Sequence, residues 1–198
     1  MTKCSSAGLQ ARKDIFVKAF ALVLLTLLVP SVASAQTPAE VIEQAVSKSP
    51  LRFPGEATLI KWKPDHTYDV IRKGANLLAC YDRSDERDRT PFAAQCTNLT
   101  NLPREAQNRK IRSETKNTAE ENAAIAAAEK AGTRVKPEFG SLWFRMDGKD
   151  KDSANLHVTI AVPGATSASI GLPDHGRQGG AWLMDAGTSA AHLMVPGR

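Results

Sequence analysis

The sequence predicts an α+β fold: an antiparallel sheet built from strands at both ends of the mature chain, with an N-terminal helix and a helical insertion. Three observations carry that expectation. Short alternating runs bounded by Pro and Gly fill residues 57–80 and again 141–195. Between 97 and 135 the chain turns polar and Ala-rich and holds no aromatic residue. The first 35 residues read as an export signal, and the 163 that follow suffice for one ordinary domain.

The signal reading rests on Lys3, Arg12, Lys13 and Lys18 ahead of an uncharged apolar run from Ala19 to Val29, then Ala33-Ser34-Ala35. Cleavage before Gln36 makes 1–35 a signal peptide and 36–198 a single α+β domain. The apolar run is shorter than the roughly 20 residues a spanning helix needs, and Pro30 ends it. No stable membrane insertion is therefore expected after cleavage, and the implied location is periplasmic or secreted. Removing the signal leaves 22 basic against 20 acidic side chains, a net +2. Without a basic run or an aromatic-interleaved stripe, nucleic acid is not an expected partner.

Cys4 departs with the signal, so Cys80 and Cys96 are the two thiols of the mature chain. In an oxidising compartment they are expected to form a disulfide, closing 15 residues at a gain of about 3 kcal/mol. The enclosed run Asp82–Arg89 is too polar to hold itself in place by burial, which gives the clasp a structural purpose. A redox or metal-binding pair would more usually show C-x-x-C spacing.

Thr37-Pro38-Ala39-Glu40 has capping Thr, first-turn Pro and Glu three residues after the cap, predicting a helix from Pro38 to Ser47. Ala57–Trp62, Tyr68–Arg72 and Asn76–Cys80 follow as three strands of a small antiparallel meander that ends at the first cysteine. A helical segment is predicted near Arg104–Lys116. A second opens at a Thr118/Glu121 capping box, continues through Ala123–Ala131 and stops at Gly132 with little of its length buried. Ser141–Asp147, Leu156–Val162, Ala181–Asp185 and Ala191–Val195 then form two antiparallel hairpins. They echo one another: Trp143 … Met146-Asp147 with His157, and Trp182 … Met184-Asp185 with His192. The sheet is expected to bring Trp62, Trp143 and Trp182 into or near one core.

Alternation along these last strands sets His157 beside Thr159 and Ala161, and His192 beside Met194. Were the two strands neighbours, one sheet face would carry His157, His192, Met194 and Met184. Imidazole and thioether donors suit copper, although Met on a strand commonly fills core and His commonly serves as hydrogen-bonded scaffold. Asp147, Asp185, Asp174 and His175 sit at expected turns or strand ends and are candidate acid or base partners of the histidines. Ser113-Glu114-Thr115-Lys116 matches S-x-x-K by chance alone, since neither S-D-N nor K-T-G follows. The chain also lacks G-x-S-x-G, H-E-x-x-H, a P-loop and a dinucleotide fingerprint.

The pattern Trp62 … Arg72-Lys73-Gly74-Ala75-Asn76 … Cys80 … Cys96, closed by His192-Leu193-Met194-Val195-Pro196, resembles a group of small uncharacterised exported bacterial proteins. These keep a tryptophan strand, an R-x-G-x-N turn, a cysteine pair and an H-x-M-V-P ending. The likeness implies a bacterial, periplasmic or secreted setting and brings no activity or cofactor to particular residues. The functional expectation is a non-enzymatic envelope domain that binds a small ligand or another protein. Its alternatives are a hydrolase using His157 or His192 with Asp147 or Asp185, and a copper-binding protein using His157, His192 and Met194.

Overall fold

One strand that the sequence pattern does not announce organises the sheet. The computed structural model describes residues 56–195, and the expected signal peptide and the helix predicted over Pro38–Ser47 lie outside them. Eight strands form one sheet in the order β2-β1-β3-β4-β5-β6-β8-β7. They are β1 (Thr58–Trp62), β2 (Tyr68–Arg72), β3 (Leu78–Asp82), β4 (Phe92–Asn98), β5 (Leu142–Gly148), β6 (Asn155–Ala161), β7 (Trp182–Met184) and β8 (His192–Val195). Between β4 and β5 lie two helices, α1 (Leu102–Glu114) and α2 (Thr118–Lys130); a single turn, α3 (Ser167–Ile170), precedes β7.

The mixed α and β content and the mostly antiparallel sheet agree with the sequence, with strands from both ends of the described chain. For β3, two expectations need correcting. β3 does not extend a meander, because it pairs parallel to β1 on the side away from β2. It also runs two residues past Cys80 and meets β4, the most fully buried strand of the sheet. Phe-Ala-Ala-Gln-Cys-Thr-Asn has no run of β-branched residues, so it shows little local strand preference. Pairing on both sides and burial make it a strand.

Cys80 and Cys96 stand directly opposite one another in the β3–β4 register, their sulfurs 2.13 Å apart at disulfide-bonding distance. They join Ala57, Leu59 and Phe144 in a core cluster on one sheet face. On the other face Ile60, Trp62, Ala79 and Tyr81 receive Leu102, the residue that docks the start of α1. Trp62 makes edge contacts with Tyr68 and Tyr81, at ring centroids 5.4 and 5.6 Å apart. Trp143 and Trp182 share this face but lie on β5 and β7, each half-buried and outside that cluster, so the three tryptophans do not form one core.

The R-x-G-x-N turn braces the sheet. Gly74 N–H donates to Thr58 Oγ1 at 3.0 Å, and the Ala75 and Asn76 N–H groups both donate to Glu56 O. A Cβ on Gly74 would lie 2.2 Å from Glu56 O, so only glycine permits the approach.

α2 buries no residue, as its Ala-rich sequence implies. Its cap is Asn117, not Thr118: Asn117 Oδ1 accepts from Glu120 N–H, while Glu120 reaches back to Lys116 N–H. The two hairpins, β5–β6 and β7–β8, abut through β6 and β8, and cross-strand register lines up Trp143, Thr159, Met194 and Trp182 in one ladder.

Replacing both Cys80 and Cys96 with alanine is expected to lower stability by about 3 kcal/mol. The corresponding fall in Tm is roughly 6–12 °C, read by circular-dichroism melts of oxidised wild type against the double variant.

Candidate functional site

The polar run between β3 and β4 holds itself in place by charge. Glu86, its side chain 4 % exposed, is met by four guanidiniums. Arg83 and Arg89 come from three residues before and after it, and Arg109 and Arg112 from successive turns of α1. Arg83 donates from Nη2 at 2.8 Å, Arg109 from Nη1 at 2.8 Å and Arg89 from Nε at 3.3 Å, and Arg112 Nη1 also donates to Glu86. Burial alone would push the Glu86 carboxyl up. Hydrogen bonds from Arg83 and the charges of Arg83, Arg112 and Arg109 outweigh it and hold the group at about 2. Two further pairs, Arg87–Glu121 and Arg109–Asp85, flank this centre.

The same arginines wall a groove between α1 and the sheet. A cavity of about 260 Å³ is lined by Arg83, Arg89, Arg104, Arg112 and Arg145, with His157 and His192 from β6 and β8 and Glu105 and Asp185 as the carboxylates. Gln95 fixes part of the floor, accepting from Arg83 Nη1 at 2.7 Å and donating to Tyr81 OH at 2.5 Å. Trp143 Nε1 donates to Glu105 Oε1 at 2.8 Å, tying β5 to α1.

Arg104 differs from the rest. It is 6 % exposed, and its hydrogen-bond partners are neutral: Val135 O and Ser189 Oγ. Among the described residues no carboxylate pairs with it. Burial, and then the charge of Arg134, bring its guanidinium down to about 10 against the pull of Glu105, Glu129 and Asp185. A desolvated cation with no carboxylate in direct contact is costly, and the groove is where an anion would meet it.

The histidines share a face as strand alternation requires. His157 stands across from Arg145, and His192 across from Ala161 and Met184. His192 Nδ1 donates to Ala190 O at 2.7 Å, with Asp185 Oδ2 at 3.8 Å from the same nitrogen. That bond leaves Nε2 as the free ring nitrogen. His157 has no hydrogen-bond partner among the described residues. Burial, Arg145 and His192 lower its pKa from 6.5, while Asp147 acts the other way.

Of the other residues singled out from the sequence, Asp147 bonds Arg145 Nη2 at 3.2 Å and Asp185 lines the groove in a left-handed turn at φ 53°. Met194 is buried beneath the same face. Asp174 and His175 are exposed and do not line it. Among the described residues no group of three or more His, Cys, Asp or Glu gathers where a metal ion could be held. Ser113 Oγ lies 3.2 Å from His66 Nε2 beside a separate cavity, and donates to Lys110 O.

Sequence reasoning found the two histidines and missed the arginines. The spacing Arg83-x-x-Glu86-x-x-Arg89 with Arg109-x-x-Arg112 is the signal that was there to read. No protein-family model, curated protein or solved structure matches this chain.

Glu86→Gln keeps the shape of the side chain and leaves four guanidiniums without their shared charge, and is expected to destabilise by about 3–5 kcal/mol in urea melts at neutral pH. Because folding depresses the Glu86 pKa from 4.5 to about 2, its contribution is present above 4.5 and fades as pH falls towards 2. Wild type is expected to lose that increment on acidification, and Glu86→Gln is expected to lack it.

Proposed function

We propose that this protein is an exported ligand-binding domain whose groove captures a small anion through carboxylate or phosphate oxygens. The observation that carries the reading is Arg104, a guanidinium inside the cavity whose hydrogen-bond partners are all neutral. Arginine's planar fork suits a two-oxygen acceptor. The volume, just under the roughly 300–1,000 Å³ usual for ligand pockets, suits a ligand of few non-hydrogen atoms. Export remains the reading of the first 35 residues, and among the described residues no helix is long and apolar enough to cross a membrane.

A second reading is a hydrolase, and one observation favours it. His192 is fixed by the Ala190 carbonyl with Asp185 beside it, so Nε2 is available as a base on the wall of an anion-binding groove. Turnover of p-nitrophenyl phosphate or p-nitrophenyl acetate that is lost in His192→Gln would establish it.

Thermal shift against phosphate, sulfate, succinate and copper(II) tests the binding reading, since a ligand that binds the native state raises Tm. The dianions are expected to stabilise wild type. Arg104→Gln is expected to weaken phosphate binding roughly 10- to 100-fold by calorimetry, the loss of one or two charge-assisted hydrogen bonds. A flat response to every anion, or Arg104→Gln binding phosphate as wild type does, overturns the reading.

A further inference from the structure

The groove's charges nearly balance. The loop after β3 contributes Arg83 and Arg89; α1 contributes Arg104, Arg112 and Glu105; and β5 contributes Arg145. Asp185 comes from the turn before β8. Three carboxylates behind the wall pair with these arginines, Glu86 with Arg83, Arg89 and Arg112, Glu121 with Arg112, and Asp147 with Arg145. Glu121 is shared with Arg87 and Glu86 with Arg109, which also holds Asp85. The carboxylates thus take up most of the guanidinium charge, and with both imidazoles neutral the groove keeps little positive excess. A monoanion can be met by that excess; a dianion calls on a further positive charge.

The two histidines differ in how they can make up that difference. The His192 ring is fixed by Nδ1–H on Ala190 O and offers Nε2 alone. His157 is half-buried on the groove wall, faces Arg145 across the β5–β6 ladder, and has no hydrogen-bond partner among the described residues. Either of its ring nitrogens can present a new N–H to an anion oxygen, and no existing bond directs the ring elsewhere.

We propose that the groove takes a doubly charged anion together with one proton, and that His157 carries the proton. The inference rests on the anion-binding reading and names its ligand class: the dianion chemistry shared by phosphate monoesters and dicarboxylates. Without an anion, burial, Arg145 and His192 disfavour imidazolium at His157, and the opposing charge of Asp147 does not cancel them. Two negative charges beside the ring reverse that balance, so binding raises its pKa and draws a proton from solvent. Affinity therefore rises as pH falls below the pKa of the bound form and levels off below that of the free form. For one proton the slope is at most about tenfold per pH unit.

Sulfate is the probe, because its charge is constant across the range. Calorimetry of the full chain from about pH 8 to about pH 5.5, spanning ordinary imidazole titration, at constant ionic strength and in buffers of differing ionisation heat, counts protons taken up. The expected result is uptake approaching one, affinity that strengthens as pH falls, and a flat profile in His157→Gln. The proton count needs no variant, so it stands even if His157→Gln folds poorly. Methyl phosphate and succinate titrated at one pH distinguish the two sources of dianion, and binding tighter than acetate by either supports the class. Sulfate bound with pH-independent affinity overturns the proton coupling and leaves the anion groove intact. A slope that persists in His157→Gln overturns the assignment to His157, and acetate binding as tightly as sulfate overturns the dianion. No binding of any anion removes the underlying reading as well.

Discussion

A single carboxylate, Glu86, holds the part of the molecule that makes the groove. The loop between β3 and β4 has little apolar surface with which to anchor itself, and α1 docks on the sheet chiefly through Leu102 at its first turn. Glu86 draws two arginines of its own loop and two of α1 around one buried charge. Arg109 also lies 5.5 Å over the Trp62 ring, so the ionic cluster and the aromatic core are continuous. Breaking such a centre leaves uncompensated charge in a desolvated place, which is why its removal costs far more than loss of a surface pair.

This arrangement has a second effect. The arginines whose charge Glu86 meets, Arg83, Arg89 and Arg112, also line the cavity. Arg89 shows the tension: burial and the neighbouring charges of Arg83, Arg112 and Arg145 lower its pKa, against Glu86. Crowding like charges is unfavourable for the fold by itself and favourable for a site that meets anions. Arg104, apart from Glu86 and satisfied by neutral oxygens, is the strongest instance of a fold that retains charge it does not need for packing.

The disulfide and the ionic centre divide the work of holding one loop. Cys80 and Cys96 join the strands at its base on the apolar face, and the arginines secure its crest on the other. The composition of the run Asp82–Arg89 suggests a segment too polar to hold itself in place by burial. Arg83 at 4 % exposure shows instead that charge can be buried when hydrogen-bonding partners arrive from elsewhere in the chain.

By itself the sequence determined what local chemistry can determine. Alternation put His157 and His192 on definite strand faces, Gly and Pro marked the ends of the later strands, and Ala-rich composition announced a helix with nothing to bury. Gly74 and the cysteine pair were legible for the same reason, since each answers to a rule of spacing or backbone freedom. What only the tertiary structure decided depends on contacts between distant segments. β4 is a strand because β3 and β5 pair with it on either side, and β1 lies parallel to β3 because the brace at Gly74 turns the chain back across the sheet. The arginines became a site because α1, some 25 residues after Arg83 and Glu86, folds over the loop that carries them. A charged residue in sequence reads as solvated surface; only the geometry of its neighbours tells whether water, a carboxylate or a ligand is meant to face it.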